Sequence, residues 1–472
     1  MSLPNVLADR YASPEMVAIW SPEAKVVLER ELWLAVLQAQ QSLGLEVPDG
    51  AVAAYRAVVQ DVDLDSIRER ERVTRHDVKA RIEEFNALAG FEAVHVGLTS
   101  RDLTENVEQL QVFRALSLVR DRCVAVLARL AERADLYGDV VLAARTHNVA
   151  AQPTTMGKRF ANIGEELFVA YERLENLLER YPLRGLKGPV GTQADLLSLF
   201  DGDVAAVDAL ERQVADHLGL PLSLDAVGQV YPRSLDFDVV TTLAQVASAP
   251  ANLAIGIRLM AGHELATEGF RPGQVGSSAM PHKMNTRSAE RIGGLLAVLR
   301  GHVTMAGSLL GDQWNEGDVS CSVTRRVLLV DAFLAIDGLI ETTLEVLADF
   351  GVYPAVVDAE LQRYLPFLAS TRRMLAAVRQ GMGREAAHHL VGDHAVSVAR
   401  QMRDAGTPND LLDRLGADER FPLSRAELAE LLADHQQFVG RAGPQVASFV
   451  ARVAALRGRR AEAAEYRGRP TL

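Results

Sequence analysis

Residues 271–290, RPGQVGSSAMPHKMNTRSAE, gather the groups best suited to polar chemistry in this chain: the hydroxyls of Ser277 and Ser278, His282, Lys283, Asn285 and Glu290. Gly273, Gly276 and Pro281 break any helix across them, so the segment reads as a polar loop delivered to a helix start. Hydroxyls, backbone N–H groups, a cation and an amide are the donors that hold a developing anion with little reorganisation. Composition alone favours a plainer reading, an exposed connector that is polar because it is solvated. A P-loop is set aside, because Lys283 follows His282 and not glycine.

Two further segments carry histidines. His76 stands beside Asp77 in TRHDVKA (74–80), where a solvated surface pair is the default. Nineteen residues on comes His95-Val96-Gly97-Leu98-Thr99-Ser100, then Asp102. His147 lies in RTHNVAAQPTT (145–155), and a lone histidine between helices more often packs or caps than catalyses. His388, His389 and His394 do not share one helical face, which argues against a bound metal.

The run from Gly276 to Thr286, GSSAMPHKMNT, resembles the signature of the fumarase/aspartase superfamily, whose members cleave C–N or C–O bonds and release fumarate. Every specified position agrees except the last, where Thr286 replaces proline. His282 before Lys283 is similar to the adenylosuccinate lyase family and to carboxymuconate cycloisomerases. TRHDV with HVGLTSRD resembles the first two motifs of the adenylosuccinate lyases, and 145–155 resembles their third, with Asn148, Ala150 and Gln152 departing from it. Arg10-Tyr11, Gln229 with Arg233, and Ser322 with Arg326 resemble further stretches of that family, while Trp314-Asn315-Glu316-Gly317 has glycine where many relatives carry arginine. The resemblance spans nearly the whole chain and is similar to actinobacterial-type members.

That resemblance implies an elimination. Fumarate leaves adenylosuccinate to give AMP, and leaves the succinyl-carboxamide ribotide SAICAR to give AICAR in purine biosynthesis. It implies Ser277 as general base and His147 as general acid, with Glu290 setting the tautomer of His147. Lys283 and Asn285 would stabilise the aci-carboxylate. His76 orients substrate in this scheme, although an alternative assignment makes it the base. Substrate contacts are implied for Arg10, Tyr11, His95, Thr99, Ser100, Asp102, Gln229, Arg233, Ser278, Asn285, Ser322 and Arg326. No metal or organic cofactor is implied, since the carboxylate is the electron sink. A homotetramer whose sites draw on three chains is implied as well. The rivals are another fumarate-releasing lyase or carboxymuconate cycloisomerase-like enzyme, and a helical scaffold without activity.

Such groups must be held by rigid elements. Apolar residues recur every three or four positions in 103–137, 157–181, 234–268, 286–310 and 323–350, while alternating stretches are short and few. A 30-residue helix spans about 45 Å, longer than a compact monomeric domain needs, so the rods are expected to bury apolar stripes against other subunits. The fold expected is all-α, elongated and three-domain around a central long-helix bundle. Its parts are 1–103 with His76 and the TSRD segment, 104–351 with the signature loop, and 352–472, ending in a loosely held tail of about a dozen residues.

Composition narrows the partners. The 472 residues carry 50 Lys plus Arg against 62 Asp plus Glu, a net charge of −12, with pI near 5.5. No global basic field exists to attract nucleic acid or an acidic membrane, so an anionic substrate must meet a local basic pocket. Cys123 and Cys321 are too few for a disulfide framework and suit a reducing cytosol. Without a leader-like N-terminus or an uncharged run of 18 apolar residues, the expectation is a cytoplasmic protein.

Overall fold

The computed structural model describes residues 4–270, 273 and 279–470. Five rods form the centre: Ser100–Leu136, Met156–Glu179, the nearly continuous pair Ser234–Val246 and Ser248–Gly262, Arg287–Gly307, and Ser322–Asp349. Each follows the expected 3.6-residue period. The last is buried all round in its middle, where every residue from Ala332 to Leu344 is covered, Asp337 and Glu341 included, as befits the central helix of the bundle. By length and composition Ser234–Gly262 could cross a membrane, yet 61% of its most apolar window is buried in the bundle, which marks a core helix.

The directions of the rods decide what can meet. Arg325 pairs with Glu108 at 2.7 Å, and Arg133 donates to the carbonyl of Leu347 at 2.6 Å, so Ser100–Leu136 and Ser322–Asp349 run parallel. Arg287–Gly307 returns beside the latter: Tyr11 packs where a Cβ on Gly338 would lie 2.6 Å from its own, and the Arg291 guanidinium sits 5.6 Å from the Tyr11 ring. Gly164 has a packing role, since a Cβ there would meet Phe449 at 2.1 Å where Ala442–Arg459 crosses Met156–Glu179.

Some expectations need correction. The helix expected from 103 starts at Ser100, one turn inside the first proposed segment, because Asp102 accepts the Thr99 N–H at 2.8 Å and caps the helix there. The tail is tied down. Ala461–Glu465 is helical, Tyr466 donates to Glu341 at 2.8 Å under the Arg122 guanidinium 3.3 Å from its ring, and Arg469 N–H donates to the same carboxylate at 2.8 Å. The segment around His147 is a β-hairpin, Val141–Thr146 with Val149–Thr155. Two further two-stranded pairings occur among the described residues, and the fold is otherwise all-α. A smaller apolar cluster built on Ala387, Leu390, Val391, Leu411 and Leu428 lies within 352–472, while Val446, Phe449, Val453 and Leu456 of that segment return to the main core.

Candidate active site

At one end of the bundle, the start of Ser100–Leu136 is fixed by a buried ion pair. Asp102 is 0% exposed, and its Oδ1 accepts from Arg184 Nη1 at 2.5 Å, Lys187 N–H at 2.8 Å and Gly188 N–H at 3.0 Å. Arg184, also 0% exposed, donates onward to the carbonyls of Gly188 and Gly228 at 2.8 and 2.9 Å. One node thus ties together the Thr99–Ser100 hydroxyl pair, the Gly-rich turn 185–191 and the segment carrying Gln229, whose N–H donates to the Glu316 carbonyl at 2.6 Å. Asp102 was expected among the substrate contacts. With its oxygens spent inside the protein, it is a positioning residue.

His95 shares this end. It accepts the Trp33 Nε1–H on Nδ1 at 3.0 Å, and burial lowers its proton affinity, with Asp102 and His76 near enough to modify the effect. His76 caps Asp77–Ala89 by accepting the Lys79 N–H on Nδ1 at 3.3 Å, and its side chain stays 53% exposed. Beneath lies a buried charge cluster. Arg233 forks onto Glu105 at 2.9 and 3.0 Å, and Arg325 reaches Asp236 and Glu108 at 2.7 Å and bonds the Tyr231 hydroxyl. Burial would raise the Glu108 pKa, but the Arg325 guanidinium holds it below the usual range. Arg233, expected to touch substrate, is buried against Glu105 instead. Arg326, the next residue after Arg325 and turned away from it, is exposed, and Ser322 is half-buried at the helix start.

The other end carries the signature loop. Ser277 and Ser278 lie outside the described residues. A cavity of about 990 Å³ is lined by His282, Lys283, Asn285, Thr286 and Glu290, with Arg258, Leu259 and Tyr353 opposite. Glu268 fixes the loop's exit by accepting the Ser288 and Ala289 N–H groups, both at 2.9 Å, and the Tyr353 hydroxyl bonds Met284 Sδ at 3.2 Å. Burial raises the Glu268 pKa, an effect its two backbone donors oppose. His147 is exposed at the hairpin tip. With Asn148 it takes positive φ, 52° and 60°, the conformation a two-residue hairpin turn requires.

The expected residues therefore form two groups. Thr99 and Ser100 start a 37-residue helix about 54 Å long, and the His147 hairpin begins five residues beyond its far end. Arg10 and Tyr11 are also apart from Ser322 and Arg326, since Tyr11 packs at Gly338, about 24 Å along the helix from Ser322. Sequence reasoning missed Arg184, Glu105, Arg325 and Glu268. The glycines at 185, 188 and 191, all with positive φ, were the one local signal pointing to the Arg184 turn.

The model of a family described as "Lyase" matches residues 12–301, and that of "Adenylosuccinate lyase C-terminus" matches 366–449. Adenylosuccinate lyases from Saccharomyces cerevisiae and Schistosoma mansoni are 35% and 33% identical over 94% of this chain, covering 93% and 94% of theirs. The chain belongs to the adenylosuccinate lyase family. A relative in this family from Methanothermobacter thermautotrophicus is 35% identical over 84% of this chain and 87% of its own. Family members thus align along both bundle ends. The fold is shared more widely. A solved 3-carboxy-cis,cis-muconate lactonizing enzyme from Pseudomonas putida matches with TM-score 0.81 at 22% identity, over 95% of this chain and 99% of that one. A fumarate lyase from Mesorhizobium sp. BNC1 gives 0.78 at 22%, over 95% and 100%.

Proposed function

We propose that this chain, a C–N lyase, eliminates fumarate from adenylosuccinate to leave AMP, and from SAICAR to leave AICAR. The wall shared by Lys283, Asn285 and Glu290 at a helix start, in a chain of this family, supports the reading most directly. A cation and an amide there offset the charge that builds on the substrate carboxylate as its neighbouring carbon loses a proton. Ser277 takes that proton, His147 protonates the departing nitrogen, and His76, Thr99 and Ser100 hold the substrate from the opposite bundle end. Arg10 and Tyr11 of one subunit and Ser322 and Arg326 of another meet the nucleotide phosphate, since within a chain the two pairs lie apart.

The working form is a homotetramer in the cytoplasm. Arg287–Gly307 exposes Gly293, Gly294, Ala297, Val298 and Gly301, and a Cβ on any of these glycines would meet nothing within 4 Å. Mid-helix glycines cost roughly 1 kcal/mol each relative to alanine, a loss that close approach of a partner helix would offset. Ile255, Leu259, Val323 and Val327 are exposed apolar residues on neighbouring rods and extend the same face. Both cysteines are free and buried, as suits a reducing compartment. Purified protein mixed with adenylosuccinate should release fumarate, followed by ultraviolet absorbance. A well-folded oligomer without turnover would refute the assignment.

A further inference from the structure

Behind the His147 hairpin, two cavities of about 330 and 260 Å³ adjoin, sharing Arg145, Arg159, Gly256 and Met260 in their walls. Leu259 is the one residue that either shares with the lining of the signature-loop cavity. A register shift between Ala143 and Arg145, a bulge of the kind that re-aims side chains, sets Arg145 into this wall.

The charges there do not balance. Three cations, Arg145, Lys158 and Arg159, line these walls, against two carboxylates at their edge: Glu360, paired with Arg145, and Glu166, which accepts from Asn252 Nδ2 at 2.7 Å. Arg145 pairs with Glu360 and holds the Asn148 carbonyl at 3.2 Å, yet its buried Nε has no acceptor among the described residues, and neither does Glu360 Oε2 have a donor. Arg159 forms no ion pair among the described residues; its one hydrogen bond is a long one, 3.4 Å to the Ala143 carbonyl. Burial lowers its proton affinity, the condition an anion would relieve. Buried charged donors left unmatched call for an acceptor from outside the chain.

We propose that this two-lobed cavity binds a small dicarboxylate. One carboxylate takes the unmatched donors of Arg145 and Arg159, and the other lies toward Lys158. Beside Asn162, Asn252 and His263, the wall carries an apolar part, Phe160, Ile163, Leu253, Leu259 and Met260, which a carbon skeleton uses and inorganic phosphate does not. Naming fumarate as the natural occupant rests on the proposed reaction, which releases it; the site itself does not.

Equilibrium dialysis of the full-length protein against labelled succinate tests this. Two classes of site per chain are expected. Lys158→Met and Arg159→Met should each weaken one class by about ten-fold or more while adenylosuccinate turnover stays within about two-fold, and Lys283→Met should weaken only the other. A single class untouched by Lys158→Met would overturn the proposal even if Arg159→Met failed to fold. Inorganic phosphate displacing succinate from the Lys158 class at equal concentration would overturn the dicarboxylate assignment. Protein that binds succinate in the Lys158 class but never cleaves adenylosuccinate would remove the reaction and keep the site.

Discussion

Arg184 is fully buried, and Asp102 is the carboxylate that neutralises it. Asp102→Asn leaves that guanidinium uncompensated and should cost roughly 3–5 kcal/mol in denaturant unfolding, with KM rising as the Thr99–Ser100 start loosens. Unchanged stability would show that the pair does not hold the site. His95 gives a pH dependence. Burial lowers its pKa in the folded chain, so the unfolded chain takes the proton first. Its contribution is full above about pH 6.5 and is lost as pH falls from there through the folded value. The fall in Tm between pH 7.5 and 5.5 should therefore be shallower in His95→Asn, which tolerates the φ of 69° at this position. An equal slope would assign the acid sensitivity elsewhere. Asp102 and Arg233 were legible as important but not as buried, because a motif names a residue type and not its exposure. Arg325 and Arg326 make the same point: adjacent in sequence, one neutralises Glu108 and Asp236 while the other faces solvent.

Long rods were readable because apolar residues recur along each of them with a period of 3.6. The hairpin at His147 was not, since strands of six and seven residues interrupted by Pro153 leave little alternation to see. Nor was the anchored tail: its grip comes from Arg122, Arg129 and Glu341, remote in sequence from residues 461–470. The glycine stripe on Arg287–Gly307 makes its own prediction. Gly301→Leu should favour the isolated helix by about 1 kcal/mol yet block close approach of another chain, shifting sedimentation to smaller species. Unaltered assembly would place the subunit contact on a different face.

For the molecule as a whole, His76, Thr99, Ser100, Gln229 and Ser322 gather at one end of the bundle and Lys283, Asn285, Glu290 and His147 at the other. Rods of about 40 to 54 Å keep those groups apart within a chain, so the proposed site requires its two halves to come from different subunits. The family resemblance implied the sharing, but only helix direction shows which residues lie together. The decisive measurement is complementation between His76→Gln and Lys283→Met, each inactive alone. Unfolded together and refolded as mixed oligomers at equal ratio, ½ × ½ of the sites should combine two intact halves, giving about a quarter of the unsubstituted rate. No recovery in verified mixed oligomers would mean that both halves come from one chain, contradicting the shared site.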